Sequence, residues 1–193
     1  MKHKLIETGI HLFDQNGFKS TSVQDIVQLL GVTKGTFYYY FDSKEELLKD
    51  IHLIYIEGLV QEQEEIIQNH KTTCTQKLYE IVRLLIRNIR TKRQSARIFT
   101  REMRHLSVKY INEIKEKRSE FRKNTQKLIE DGIQQGEFKQ GLHPDIITMG
   151  ILGITNWSYY WFNPDGELSE EQVVDIFVNM ILNCIYRNGG VYN

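Results

Sequence analysis

The chain has 193 residues, 40% hydrophobic and 26% charged, the balance of an ordinary globular protein able to bury a core. Lys plus Arg and Asp plus Glu each total 25, so bulk charge announces no nucleic-acid partner. Between Gln76 and Leu128 there are 16 Lys and Arg against 5 acids, whereas residues 1–50 hold 6 Lys and 7 acids, so a case for DNA must rest on motif geometry.

Met1 leads directly into an amphipathic pattern (Leu5, Ile6, Gly9, Leu12, Phe13) and not into an apolar leader, which predicts a cytoplasmic protein. This first helix runs from Lys2 to the pair Asn16-Gly17, suited to a left-handed cap. Ser22 with Asp25 three residues on is a capping box. It opens a second helix with an apolar stripe of Val23, Ile26, Val27 and Leu30, ended by Gly31. A short third helix spans Thr33 to Tyr39. Ser43 and Glu46 form another capping box, opening a long fourth helix that reaches Asn69.

The remaining pattern is helical throughout, with segments expected at 73–92, 94–105, 107–135, 143–162 and 169–187. The fold class is therefore all-α, about nine helices. Residues 1–47 are read as a three-helix domain and 48–193 as a second domain, a helical bundle. The uncharged run Ile146–Pro164 nears the lower limit of a membrane span, but it carries Thr148, Asn156, Ser158 and glycine breaks, so it reads as a buried helix. Ser169 with Gln172 caps the last helix. Its stripe of Val173, Phe177, Met180, Ile181, Cys184 and Ile185, beside Gly150 and Gly153 of the preceding helix, suits a homodimer seam through the last two helices. Cys74 and Cys184 are isolated thiols without metal spacing and read as small residues in a reducing compartment.

The segment Ser22–Phe41 has helix-turn-helix proportions. In its second helix Phe37 and Phe41 point inward one turn apart, and Lys34, Gly35, Tyr38 and Tyr39 occupy the opposite face. A cation, a bare backbone and two phenols suit a groove of duplex DNA. The alternative is a packed three-helix cap with an aromatic core patch. Phe13, Asn16-Gly17-Phe18, Thr21-Ser22-Val23, Asp25-Ile26, Gly31-Val32, Lys34 to Phe41 and Ser43 to Leu48 together resemble the signature of the TetR family of transcriptional regulators over about fifty residues. The resemblance implies a repressor that binds a double-stranded operator as a dimer, with 1–47 as its DNA-binding domain and 48–193 as its ligand-sensing and dimerisation domain. It implies phosphate contacts from Ser22, Gln24, Thr36, Tyr38 and Lys44, with Thr33, Lys34, Gly35 and Tyr39 near base edges. Gly9 departs from the family's usual Ala.

Farther on, Gly132, Gly136-Glu137-Phe138, Gly153, Asn156-Trp157, Trp161 and Gly166, with Arg97 to Arg104 upstream, resemble the subgroup that answers to acyl-coenzyme A thioesters. Phe99, Met103, Trp157, Tyr160 and Trp161 are candidate walls of an acyl tunnel. Arg101 and Arg104, in a run from Arg83 at i+3/i+4 steps, are candidate phosphate ligands. Each has a plainer reading: aromatics at helical spacing as core, and the arginines as a solvated face paired with the Glu-rich stretch 57–65. A small aromatic or drug-like effector, as in an efflux regulator, is an equal competitor. The six His show no ligand spacing and no nucleophile or phosphate-loop motif occurs, so no enzyme, metal or cofactor is expected. A helical adaptor that binds only protein is the remaining class.

Overall fold

The computed structural model describes residues 1–186, so the end of the expected 169–187 helix and of the 48–193 region lies outside the described residues. The described residues form nine α-helices: α1 (Lys2–Asn16), α2 (Val23–Leu30), α3 (Lys34–Tyr40), α4 (Lys44–Gln68), α5 (Cys74–Thr91), α6 (Arg93–Arg101), α7 (Val108–Gln134), α8 (Pro144–Trp161) and α9 (Glu170–Ile185). A 3-10 turn, Met103–His105, follows α6.

Capping chemistry sets several of the helix ends. Asp25 N–H donates to Ser22 Oγ at 3.1 Å and Ser22 N–H returns a bond to Asp25 Oδ2 at 2.7 Å, so α2 starts with two otherwise orphaned donors satisfied. Gly31 closes α2 in the left-handed region at φ 69. Ser169 and Gln172 repeat the box at α9. The helix expected over 94–105 is shorter than its pattern. It stops at Arg101, and the chain tightens into the 3-10 turn as Glu102 and Leu106 become buried. Tertiary burial wins there over helical continuity.

The chain divides into two compact units, Met1–Gly58 with Lys92–Arg118, and 59–91 with 119 onward. In the first unit Leu5, Phe13, Ile26, Val27, Phe37, Phe41, Leu47 and Ile51 pack with Ile98, Leu106 and Ile114 into one core. Each fully buried side chain of this kind contributes about 1.5–3 kcal/mol. Gly9 belongs to this packing: a Cβ there would lie 2.8 Å from Leu47 Cδ2, so Leu47 occupies the volume that the family's usual Ala would fill.

In the second unit α5 is central. Cys74, Leu78, Ile81, Val82, Leu84, Leu85, Ile86, Asn88 and Ile89 are all buried, and the helix packs against α8 and α9. Glu137 caps its start, accepting the N–H groups of Cys74 and Thr75 at 2.9 Å each. Phe138 lies over Gly132, where any Cβ would meet its ring at 2.2 Å. The Gly132 to Phe138 pattern thus builds a turn that pins α7 to α5. No described helix is long and apolar enough to cross a membrane, and α8 buries Thr148, Ile151, Thr155 and Ser158 along one side.

Candidate nucleic-acid interface

The back of α3 is held by aromatic packing. Phe37 and Phe41 are buried with ring centroids 5.5 Å apart, which fixes the rotation of the helix and turns Lys34, Gly35, Tyr38 and Tyr39 outward. Tyr39 is 81% exposed, more than any other large hydrophobic side chain described. Its ring meets Tyr40 edge-on with centroids 4.8 Å apart, and a phenol otherwise held in water suits a groove-facing position. Thr33 is the N-cap: its Oγ1 accepts from Thr36 N–H at 3.3 Å and lies 3.2 Å from Thr36 Oγ1. Both threonines therefore stand at the N-terminus of α3, where backbone donors and the helix dipole favour an anion.

Ser22 and Gln24 are exposed at the start of α2, although Ser22 Oγ also bonds Asp25 Oδ2 at 2.8 Å. The bonds from Ser22, backbone first and side chain next, hold the Asp25 carboxyl below its ordinary pKa, and Lys44 adds to the effect. Lys44 does more than the sequence suggests. Its ammonium donates to Phe18 O at 2.6 Å and Thr21 O at 2.5 Å, and sits 4.2 Å from the Phe18 ring centroid. Burial pulls its pKa down while Asp25 pulls it up. Lys44 is a tie that shapes the α1–α2 loop, a role the sequence reading did not assign.

The expected effector residues fall into two groups, one per unit. Phe99 and Met103 are half-buried in the first unit, and Arg101 and Arg104 there are exposed. The Phe99 ring lies 4.9 Å from Tyr55 and 5.4 Å from His52, with Arg118 Cζ 5.5 Å above it. Trp157, Tyr160 and Trp161 belong to the second unit and are 63%, 54% and 49% exposed, so they face outward from α8. The arginine run is broken between α5 and α6 and again after Arg101. Three of its members are ion-paired: Arg83 with Glu80 at 2.6 Å, Arg87 with Glu62 at 2.5 Å, and Arg97 with Asp14. Charges of both signs also wall an open groove of about 420 Å³ between α4 and α5, including Glu65, Lys77, Arg83 and Arg87.

Sequence reasoning missed His52, Tyr55 and Arg118. His52 is fully buried; its Nδ1 lies 2.9 Å from Leu48 O and its Nε2 has no partner. Burial pushes its pKa down to about 4, opposed by the Leu48 bond and assisted by Arg118. A lone histidine on a long amphipathic helix carries no spacing signal, and Arg118 is hidden in a stretch of mixed charge.

Residues 5–51 match the family described as bacterial regulatory proteins, tetR family, and residues 71–185 match the tetracyclin repressor-like C-terminal domain. Over 190 residues the chain is 25% identical to the HTH-type transcriptional repressor KstR2 of Mycolicibacterium smegmatis, covering 98% of this chain and 92% of that one. It is 24% identical over 159 residues to the fatty acid metabolism regulator protein of Bacillus subtilis, covering 80% and 81%. PfmR of Thermus thermophilus, a TetR family transcriptional regulator, matches with a TM-score of 0.85 and 27% identity over 93% of this chain and 97% of that one. AibR, solved with isovaleryl coenzyme A and operator DNA, shares the fold at a TM-score of 0.82 and 24% identity over 93% and 96%. The chain belongs to the TetR family of bacterial regulatory proteins and is a DNA-binding transcriptional regulator.

Proposed function

We propose that the protein is a cytoplasmic, homodimeric repressor that grips a near-palindromic operator with two copies of α3 and is released by a small hydrophobic effector, an acyl-CoA. The observation that carries the reader is the outward face of α3, Lys34, Gly35, Tyr38 and Tyr39, backed by the buried Phe37 and Phe41. In this reading Thr33, Lys34, Gly35 and Tyr39 meet base edges, while Ser22, Gln24, Thr36, Tyr38 and Lys44 hold phosphates. Two-fold protein symmetry then requires a two-fold operator with half-sites about 34–36 Å apart or more.

The dimer reading is supported by an apolar face on the second unit. Ile146, Met149, Trp157 and Tyr160 of α8 are all exposed at helical spacing, as are Ile176 and Met180 of α9. A Cβ added at Gly150 or Gly153 of α8 would meet nothing within 4 Å, so a second backbone has room to approach. A patch of this kind marks an interaction surface. Trp157, Tyr160 and Trp161 then serve the seam, and Phe99 and Met103 the effector.

The acyl-CoA reading is supported by the half-buried apolar pair Phe99 and Met103 and by the names of the relatives, one a fatty acid metabolism regulator and one bound to isovaleryl coenzyme A. The test is a gel shift on the DNA upstream of the protein's own gene. A long-chain acyl-CoA releases the complex and free coenzyme A does not. Release by aromatic or drug-like compounds, with thioesters of every length inert, would replace the acyl-CoA reading with that of a detoxification regulator.

A further inference from the structure

Unit 1 contains a polar pair that neither the reader nor its core uses. His52 on α4 is fully buried. Leu48 O can only accept, so the His52 Nδ1 beside it carries the proton, and Nε2 is a bare acceptor with no partner. An unmet buried acceptor destabilises the fold unless something else supplies a donor.

Arg118 on α7 belongs to the same cluster. Its guanidinium stands over the Phe99 ring and its Nη1 lies 3.7 Å from Met103 Sδ. Arg118 is exposed to solvent, and no carboxylate is paired with it among the described residues. Arg83, Arg87 and Arg97 each have an acidic partner, whereas Arg118 has an aromatic ring and a thioether beside it. A guanidinium fork on an apolar floor matches phosphate. The apolar walls are Phe99, Tyr55 and Met103, with Phe99 touching both His52 and Tyr55.

Resting on the acyl-CoA reading of the effector, we infer that His52 and Arg118 form the polar subsite for the coenzyme arm. Arg118 takes an anionic phosphate oxygen at the open end, and His52 Nε2 accepts an amide N–H deeper in. The subsite therefore prefers a thioester of coenzyme A, which offers both an anion and an amide donor, over a free fatty acid, which offers only the anion. Arg101 and Arg104, which have no aromatic floor of this kind, are not part of it.

The test is calorimetric titration of the full chain with dodecanoyl-CoA, dodecanoate and dodecyl phosphate. The proteins are wild type, Arg118→Met, which keeps a stem over Phe99, and His52→Phe, which keeps a flat ring. Operator binding without ligand verifies that each variant is folded. Should His52→Phe fail that control, Arg118→Met decides alone. Dodecanoyl-CoA binds wild type at least tenfold more tightly than dodecanoate, and each variant loses at least tenfold of that affinity. Dodecyl phosphate, with an anion and no amide, depends on Arg118 and is indifferent to His52→Phe. Thioester binding unchanged in both variants overturns the subsite while leaving the acyl-CoA reading intact. No thioester binding to wild type overturns that reading; Arg118-dependent binding of dodecyl phosphate then still supports an anion subsite, and its absence overturns the subsite too.

Discussion

Arg97 on α6 holds Asp14 on α1 in a two-bonded fork, Nε donating to Oδ1 at 2.7 Å and Nη2 to Oδ2. The Asp14 side chain is only 4% exposed and Arg97 30%, so the carboxylate has little water to fall back on. The fork ties α6 to the first helix of the reader. The 3-10 turn adds a second tie, His105 stacking on Phe18 with centroids 5.5 Å apart, and Ser107 N–H donating to Glu45 Oε1 at 2.6 Å adds a third. Exposed ion pairs contribute under about 1 kcal/mol, whereas breaking a buried one costs about 3–5 kcal/mol. Arg97→Met is expected between these limits, about 2–3 kcal/mol less stable in urea unfolding. It should also blunt effector release more than it weakens ligand-free operator binding. A variant as stable as wild type would show that the fork is incidental.

Lys44 and Lys34 should separate cleanly in an operator library. Lys34 projects from the α3 face, and Lys34→Ala should flatten discrimination at one or two positions by about 1–3 kcal/mol each. Lys44→Ala should weaken all sequences alike, lower the salt slope by about 0.9 if one phosphate contact goes, and also destabilise the fold because Phe18 O and Thr21 O lose their donor. Lys44→Ala that shifts binding without touching stability would contradict its role as a loop tie. Indistinguishable binding profiles for the two variants would contradict the division between phosphate and base.

Local chemistry made much of this legible in advance. The capping boxes at Ser22 and Ser169 and the glycine at 31 define helix ends from a few neighbouring residues, so they can be read without tertiary knowledge. Phe37 and Phe41 betray the buried side of α3 by spacing alone. What escaped depends on partners far along the chain. Lys44 bonds to residues 26 and 23 positions away, and Arg97 to one 83 away. Likewise Trp157 and Tyr160 show helical spacing in the sequence, but only the packing of α8 decides that they look outward. Periodicity reports that a face exists; what covers it is a property of the assembled chain.

The outward face of α8 and α9 gives a direct oligomerisation test. Met149→Lys or Trp157→Lys places a charge in the proposed seam, where pairing two such subunits would bury like charges near the symmetry axis. Each variant is expected to sediment as a folded monomer at micromolar concentration and to lose operator affinity at least tenfold. Thr148, Ile151, Thr155 and Ser158, on the buried side of the same helix, keep the subunit folded. A Trp157→Lys protein that stays dimeric but no longer responds to effector would return this residue to the ligand pocket.

Glu137 supplies a prediction about acid stability. Burial of its carboxyl raises the pKa, but the Thr75 and Cys74 backbone N–H groups, with the Thr75 hydroxyl, outweigh that and leave it below the ordinary glutamate value. A carboxylate whose folded pKa is depressed stabilises the native state above the unfolded pKa, and that contribution is lost as pH falls through the folded value. Glu137→Gln removes the charge at the start of α5 while keeping one acceptor, and helix-start contacts of this kind contribute about 0.5–2 kcal/mol. Wild type should therefore exceed Glu137→Gln in urea stability by about 1 kcal/mol at pH 7, with the gap closing as pH falls below the ordinary glutamate value and the wild-type carboxyl protonates. Tyr186 donating to Thr75 Oγ1 at 3.1 Å provides a control, because Tyr186→Phe removes a neutral bond at the same helix start and its effect should not change over that pH range. A gap between wild type and Glu137→Gln that stays constant from pH 7 to pH 3 would show that the amide caps α5 as well as the carboxylate does, and that charge contributes nothing there.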